Sequence, residues 1–409
     1  MISLRAAGCL TAAACALAGA GCHADPVRPD PQPDDDGCGP GTICTWMGVP
    51  GIAGMGPPQG DRLRQDESLY MVQDVELAPD GTAYVADFNN HRVLRVAPDG
   101  HVTTVSGQGI PGDGILFEDC ADGCVASQSE MWHPSDLVLL PDDVLLVIAW
   151  QNHRLLRIDQ RADEVRWVAG VGEAGYGDGP VAFAFPSSVV ADEDGIVYVA
   201  DQANQLIRRL RPDGTVDDLV GLPGVADYTG DGGPADMALL HGHSGWEGGP
   251  TSKLALAGRT LYMADSLNGV IRAVDLDTGE IDRVAGRFVD RGEGDSRLGS
   301  AEGYGGDGGD ALDAVFWRPR DVEVGPDGTL YVADTGNHCI RAITPDGTID
   351  VVAGRCGEAG FSGDGGAPTD ALLNTPCGVA LDADGNLFVA DSNNHLVRRV
   401  GLADPDPSR

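Results

Sequence analysis

The phrase YVADTGNH, Tyr331 to His338, returns about 57 residues later as FVADSNNH, Phe388 to His395. A phrase copied at a steady interval marks a repeat architecture, which constrains a fold more tightly than any single motif. Anchored on the turn asparagine, six copies appear, at Asn90, Asn152, Asn204, Asn268, Asn337 and Asn394. Their spacing of roughly 50 to 70 residues matches one four-stranded propeller blade plus an elaborated loop.

A complete unit starts at Asp321 as DVEVGPDGTLYVADTGNHCIRAITPDGTIDVVAG. Apolar runs alternate with a Pro-Asp-Gly turn, an Asn-containing turn and a second Pro-Asp-Gly turn. Gly and Asn supply the backbone angles of tight turns, so the unit predicts four short antiparallel strands. It resembles an NHL repeat, and residues 42–401 resemble a six-bladed NHL β-propeller. The resemblance implies an all-β ring, and it leaves function open because such rings serve many unrelated roles. The sixth unit stops after three strands, whereas Thr42 to Gly48, TICTWMG, reads like the fourth strand seen elsewhere as HVTTVSG and TIDVVAG. The N-terminal strand is therefore expected to complete the last blade and leave the ring without a free sheet edge.

Four segments follow: 1–21 as a signal peptide, 22–41 as a Pro/Asp-rich tether, 42–401 as the propeller and 402–409 as a disordered tail. The first segment has one early cation, Arg5, and an apolar stretch too short to span a bilayer. LAGAGC resembles a bacterial lipobox with Cys22 as the lipidated residue, although Leu17 lies farther from it than usual; simple cleavage is the alternative. The expected address is the cell envelope, periplasm or cell surface, with membrane contact only through the anchor, or else the secreted fraction. The cysteines suit an oxidising compartment, with Cys38 and Cys44, Cys120 and Cys124, and Cys356 and Cys377 as candidate pairs and Cys339 left over.

A formal net charge of -36, with Lys253 the only lysine, argues against nucleic-acid partners, whose phosphates need clustered cations. A monomer is expected. Loops with Gly-Asp-Gly recur around Asp178, Asp231, Asp307 and Asp364, with a weaker copy at Asp113. Each could offer calcium a carboxylate, or the aspartate could close the loop on its own backbone. The aspartates ending the second strands, Asp87, Asp201, Asp265, Asp334 and Asp391, are expected to hold the following turn, and blade two has Ala149 there.

Residues that break the repeat point to function. His133 in MWHPSD, His241 and His243 in LLHGHSGW, and Arg318 and Arg320 in FWRPRD all precede inner strands, with Trp132, Trp246 and Trp317 beside them. Two functions follow. One is a binding scaffold for a protein, peptide or glycan, with Trp132, His133, Trp246, Trp317, Arg318 and Arg320 at the channel rim and no cofactor. The alternative is a metal-dependent lyase or hydrolase with zinc on His133, His241 and His243, as the resemblance to NHL enzymes that cleave amidated-peptide precursors implies. No catalytic residue can be singled out.

Overall fold

In blade five, Asp321–Val324, Leu330–Asp334, Cys339–Ile343 and Thr348–Ala353 form the antiparallel meander that the turn pattern predicts. The structure, a computed structural model, describes residues 38–54, 62–110, 112, 123–179, 181–243, 249–288 and 303–402. The signal segment, Cys22, nearly all of the tether, Asp113, Cys120, Trp246 and residues 403–409 lie outside them. Six blades of this kind make an all-β six-bladed propeller. Four sheets have five strands, because Arg62–Leu63, Cys124–Val125, Gly233–Pro234 and Gly309–Asp310 each add two residues to an outer edge. In the last blade Ile43–Met47 runs antiparallel to Leu396–Val400 as the outer strand. Among the described residues no helix is long and apolar enough to cross a membrane.

The ring has no single core. Six apolar clusters lie one at each seam between blades, as where Tyr84 and Val93 of blade one pack on Met131, Leu145 and Val147 of blade two. Burial at the seams leaves the inner strands free to carry polar residues toward the axis.

The turn aspartates work as expected. In five blades the asparagine side chain donates to the aspartate three residues earlier, from Asn90 to Asp87 through Asn394 to Asp391, at 2.8–2.9 Å. The residue after each asparagine adopts the left-handed conformation: His91, His153, Gln205, Gly269, His338 and His395. From that position the side chain reaches the next blade. His91 Nδ1 accepts the backbone N–H of His133, His153 that of Phe185, His338 that of Thr375 and His395 that of Met71. Gln205 Oε1 does the same for Gly242 at 2.6 Å. These repeat histidines are latches between blades, and acceptance requires a neutral ring.

Burial pushes His91 and His153 down to about 4. A histidine depressed from its ordinary value near 6.5 contributes stability above that value and loses it as pH falls through about 4. The His91→Gln, His153→Gln variant, copying Gln205, should match the parent at pH 7. At pH 4 it should be more stable by on the order of 1–3 kcal/mol per site. Denaturant titrations at both pH values check this; parallel losses in parent and variant would refute the latch.

Two expectations are corrected. At Asp231, Asp307 and Asp364 the Gly-Asp-Gly carboxylates neither close on their own backbone nor stand open to calcium, because buried third-strand arginines occupy them. Arg272 meets Asp231 and Arg341 meets Asp307, each at 2.8 Å, and Arg398 meets Asp364 at 2.5 Å. Tyr228, Tyr304 and Phe361 lie over these guanidinium groups. The second correction concerns cysteines: Cys339 pairs with Cys356, leaving Cys377 free and buried. The outer strand of blade five brings Cys356 back to within 5.1 Å, Cα to Cα, of Cys339, whereas Cys377 lies on an inner strand. Cys38–Cys44 forms as expected, and Cys124 is disulfide-bonded.

Candidate functional site at the channel mouth

Five inner strands, and in blade four the residue just before the strand Leu254–Ala257, place one residue at the same level of the channel: Asp74, Asp136, Ser188, Lys253, Asp321 and Gly378. The chain's only lysine fills the centre. Its Nζ contacts Asp74 and lies 3.1 Å from Asp136 Oδ1 and 3.6 Å from Asp321 Oδ2. Ser188 donates to the other oxygen of Asp136 at 2.7 Å. One ammonium thus ties blades one, two, four and five across the axis, with all four charged side chains buried.

Two residues farther along the inner strands, Glu76 and Glu323 line a cavity of about 230 Å³ whose remaining wall includes Val138, Val190 and Ala380. Burial, reinforced by neighbouring aspartates, pushes both carboxyls up to about 8. At neutral pH Glu76 and Glu323 therefore favour the protonated form, in a chamber that Asp74, Asp136 and Asp321 of the lysine knot also line.

Above the lysine lies the mouth, where the turn aspartates do a second job. Their Oδ1 atoms accept the backbone N–H of Tyr70, Ala184, His241, Trp317 and Asn374, at 2.7–3.0 Å. Blade two lacks this aspartate, and Asn152 Oδ1 takes the N–H of Trp132 at 2.7 Å instead. Tyr70, Trp132, His241 and Trp317 therefore hold equivalent positions around one opening. Trp317 is further fixed by Gly336, whose N–H donates to the Trp317 carbonyl at 2.7 Å. A Cβ on Gly336 would come within 2.6 Å of the indole, so only glycine admits the ring there.

Blade four departs from its neighbours. The latched residue precedes the channel residue by three positions elsewhere, as from His133 to Asp136, but by eleven from Gly242 to Lys253. Gln202 clasps the two ends of this insertion: its Nε2 donates to the carbonyls of His243 and Gly249, and its Oε1 accepts the N–H of Thr251. The clasp brings half-buried His243 toward Arg318 and Arg320. Burial first, and then the charges of Arg318, Arg320 and His241, lower its pKa.

His133 is set into the floor of the mouth. Its ring stacks on Phe88 at 4.3 Å between centroids, and Nδ1 bonds Gln151. Burial and the nearby His91 push it down to about 3. Among the described residues no three His, Cys, Asp or Glu side chains come together in an arrangement able to hold a metal ion. The two arginines beside His243 also repel a divalent cation.

Sequence reasoning picked out Trp132, His133, Trp246, Trp317, Arg318 and Arg320 for the channel rim; of these, Trp132 and Trp317 hold equivalent entrances to their inner strands, and Tyr70, Gln202 and Lys253 were missed. The equivalence of Tyr70 with the tryptophans was available from alignment of the repeats, and Lys253 from its being the only lysine.

The NHL repeat family matches residues 316–343 and 373–399. The chain is 27% identical over 351 residues to NHL repeat-containing protein 2 of Bos taurus, covering 78% of this chain and 44% of that protein. It is 27% identical over 408 residues to Teneurin-m of Drosophila melanogaster, covering 90% of this chain and 13% of that one. The chain thus spans less than half the length of the curated relatives it matches. Among solved structures, it resembles a Bacteroides thetaiotaomicron protein of unknown function with a TM-score of 0.61 and 17% identity, over 87% of this chain and 74% of that one. An auxiliary nutrient binding protein from Bacteroides ovatus gives a TM-score of 0.59 and 15% identity, over 87% and 75%.

Proposed function

We propose that this chain, an NHL-repeat six-bladed β-propeller, is an exported binding scaffold that captures its ligand at the channel mouth. The observation that carries the reading is the set of aromatic side chains, Tyr70, Trp132 and Trp317, held at equivalent blade positions around one opening beside Arg318 and Arg320. Rigid aromatic and arginine anchors dominate recognition energy, and ordering them before binding lowers its entropic cost. His133 forms the floor of the site. The ionic knot at Lys253 crosses the channel below, which suits capture at the mouth.

Export agrees with the bonds Cys339–Cys356 and Cys38–Cys44, which persist in oxidising compartments. Anchoring through Cys22 belongs to the same proposal, with the Pro/Asp-rich segment as the leash. A mixed array of glycans and peptides tests the function. The Trp132→Ala, Trp317→Ala variant should weaken capture of any bound ligand by about 1 to 4 kcal/mol with the fold intact. Unchanged capture would contradict the site.

A further inference from the structure

We propose that the groove between blades one and two, on the face opposite the mouth, is a second binding site that takes an aliphatic carboxylate, with the acid group on Arg95 and Tyr84 and the hydrocarbon chain along Leu139, Leu140 and Pro141. This site is independent of the mouth and of the ligand captured there.

Its first support is an arginine without a counter-charge. At the equivalent position of blade three, Arg209 lies opposite Asp217 on the neighbouring strand and pairs with it at 2.6 Å. In blade one the opposing residue is Thr103. Half-buried Arg95 accordingly has no ion pair or hydrogen bond among the described residues, and it lines a groove of about 830 Å³. The three carboxylates of that groove are engaged elsewhere. Asp80 accepts the backbone N–H of Thr82 at 2.9 Å, and Arg161 bonds Asp142 at 3.1 Å and Asp143 at 2.9 Å.

The second support is a hydroxyl with a proton to give. In blade three Tyr198 donates to Asp192 at 3.1 Å, whereas the residue six positions before Tyr84 is Ala78. The Tyr84 oxygen instead accepts Gln160 Nε2 at 3.0 Å, which leaves its own O–H without an acceptor among the described residues. Tyr84 and Arg95 stand directly opposite one another on adjacent strands, so their side chains share one face of blade one. A guanidinium beside a phenol O–H suits a carboxylate, because hydrogen bonds to an anion are roughly twice as strong as neutral ones.

The third support separates an aliphatic acid from an inorganic anion. Half-buried Leu139 and Leu140, with Pro141, supply an apolar wall from blade two, and the volume falls within the range of about 300–1,000 Å³ usual for small-molecule sites. The turn that carries this wall has an uncommon backbone. Asp142 and Asp143 both adopt positive φ, 67° and 60°, where residues other than glycine are rare and where binding sites are over-represented. Gln160 braces the turn by donating to the Asp143 carbonyl at 3.1 Å.

The test is calorimetric titration of the full chain with octanoate, 1-octanol and acetate. Octanoate should bind at least tenfold more tightly than either of the others. Arg95→Met, which keeps most of the aliphatic stem, should weaken octanoate at least tenfold with an unchanged melting temperature. Hydrogen–deuterium exchange should slow at residues 78–84 and 139–143 when octanoate is added, and stay unchanged at 131–133 and 317–320. Equal binding of octanol, or an unaffected Arg95→Met, would overturn the carboxylate assignment, and equal binding of acetate would overturn the role of the apolar wall. No binding of octanoate, or protection confined to the mouth, would overturn the inference, while the Trp132→Ala, Trp317→Ala comparison on the array would still decide capture at the mouth separately.

Discussion

Lys253→Met should destabilise the ring by about 3–5 kcal/mol, the usual cost of stranding buried charges by removing their partner. Asp74, Asp136 and Asp321 would remain at the channel centre, no longer neutralised, in a ring whose whole stability is on the order of 5–15 kcal/mol. Burial already raises Asp136, and it raises Asp321 to about 6 against the pull of Lys253. Without the lysine both should rise further. Carboxyls raised in the folded state stabilise it below their unfolded values and lose that contribution as pH climbs through the folded ones. The variant should therefore recover part of its deficit between pH 8 and pH 5. Denaturant titrations across that range measure the gap, and a constant gap would show that the carboxylates do not carry it.

The second large effect is expected from the closing strand. Ile43 and Met47 are fully buried, and Trp46 packs edge-on against Phe388 at 5.1 Å between centroids. At about 1.5–3 kcal/mol for each buried side chain, their loss approaches the stability of the whole ring. Hydrogen bonds add to this on both sides of the strand. Ile43 exchanges bonds with Gly365 and Gly366, and Thr45 donates to Asp364, which also holds Arg398. A chain lacking residues 42–48 should fail to give a cooperative melt, whereas one lacking 23–37 should melt with the parent. Truncations that melt together would reject the strand's role in closure.

The architecture was legible because it depends on local chemistry written six times. An aspartate, an asparagine and a left-handed residue lie within five positions, so one blade explains the others. Partners that meet through the fold were harder to read. Asp307 and Arg341 are 34 residues apart, and the glycine-rich loop gives no local sign that an arginine will enter it. Lys253 was visible as a lone lysine, but its three aspartates come from three other blades and share only a position in the repeat. The spare cysteine was misassigned for a similar reason, since strand return sets the distance between Cys339 and Cys356. At the mouth, departure from the repeat drew attention to Trp317 and Arg318, while the eight-residue excess in blade four emerged only once Gly242 and Lys253 had structural equivalents.

Capture at the mouth has a competitor on the opposite face, a groove of about 830 Å³ between blades one and two lined by Pro79, Tyr84, Leu140, Pro141 and Arg161. Hydrogen–deuterium exchange of the full chain, with and without the tightest ligand from the array, distinguishes the two faces. The binding-scaffold account predicts slowed exchange at residues 131–133 and 317–320 and none at 78–84 or 139–143. Protection confined to the groove, with the mouth unchanged, would contradict it.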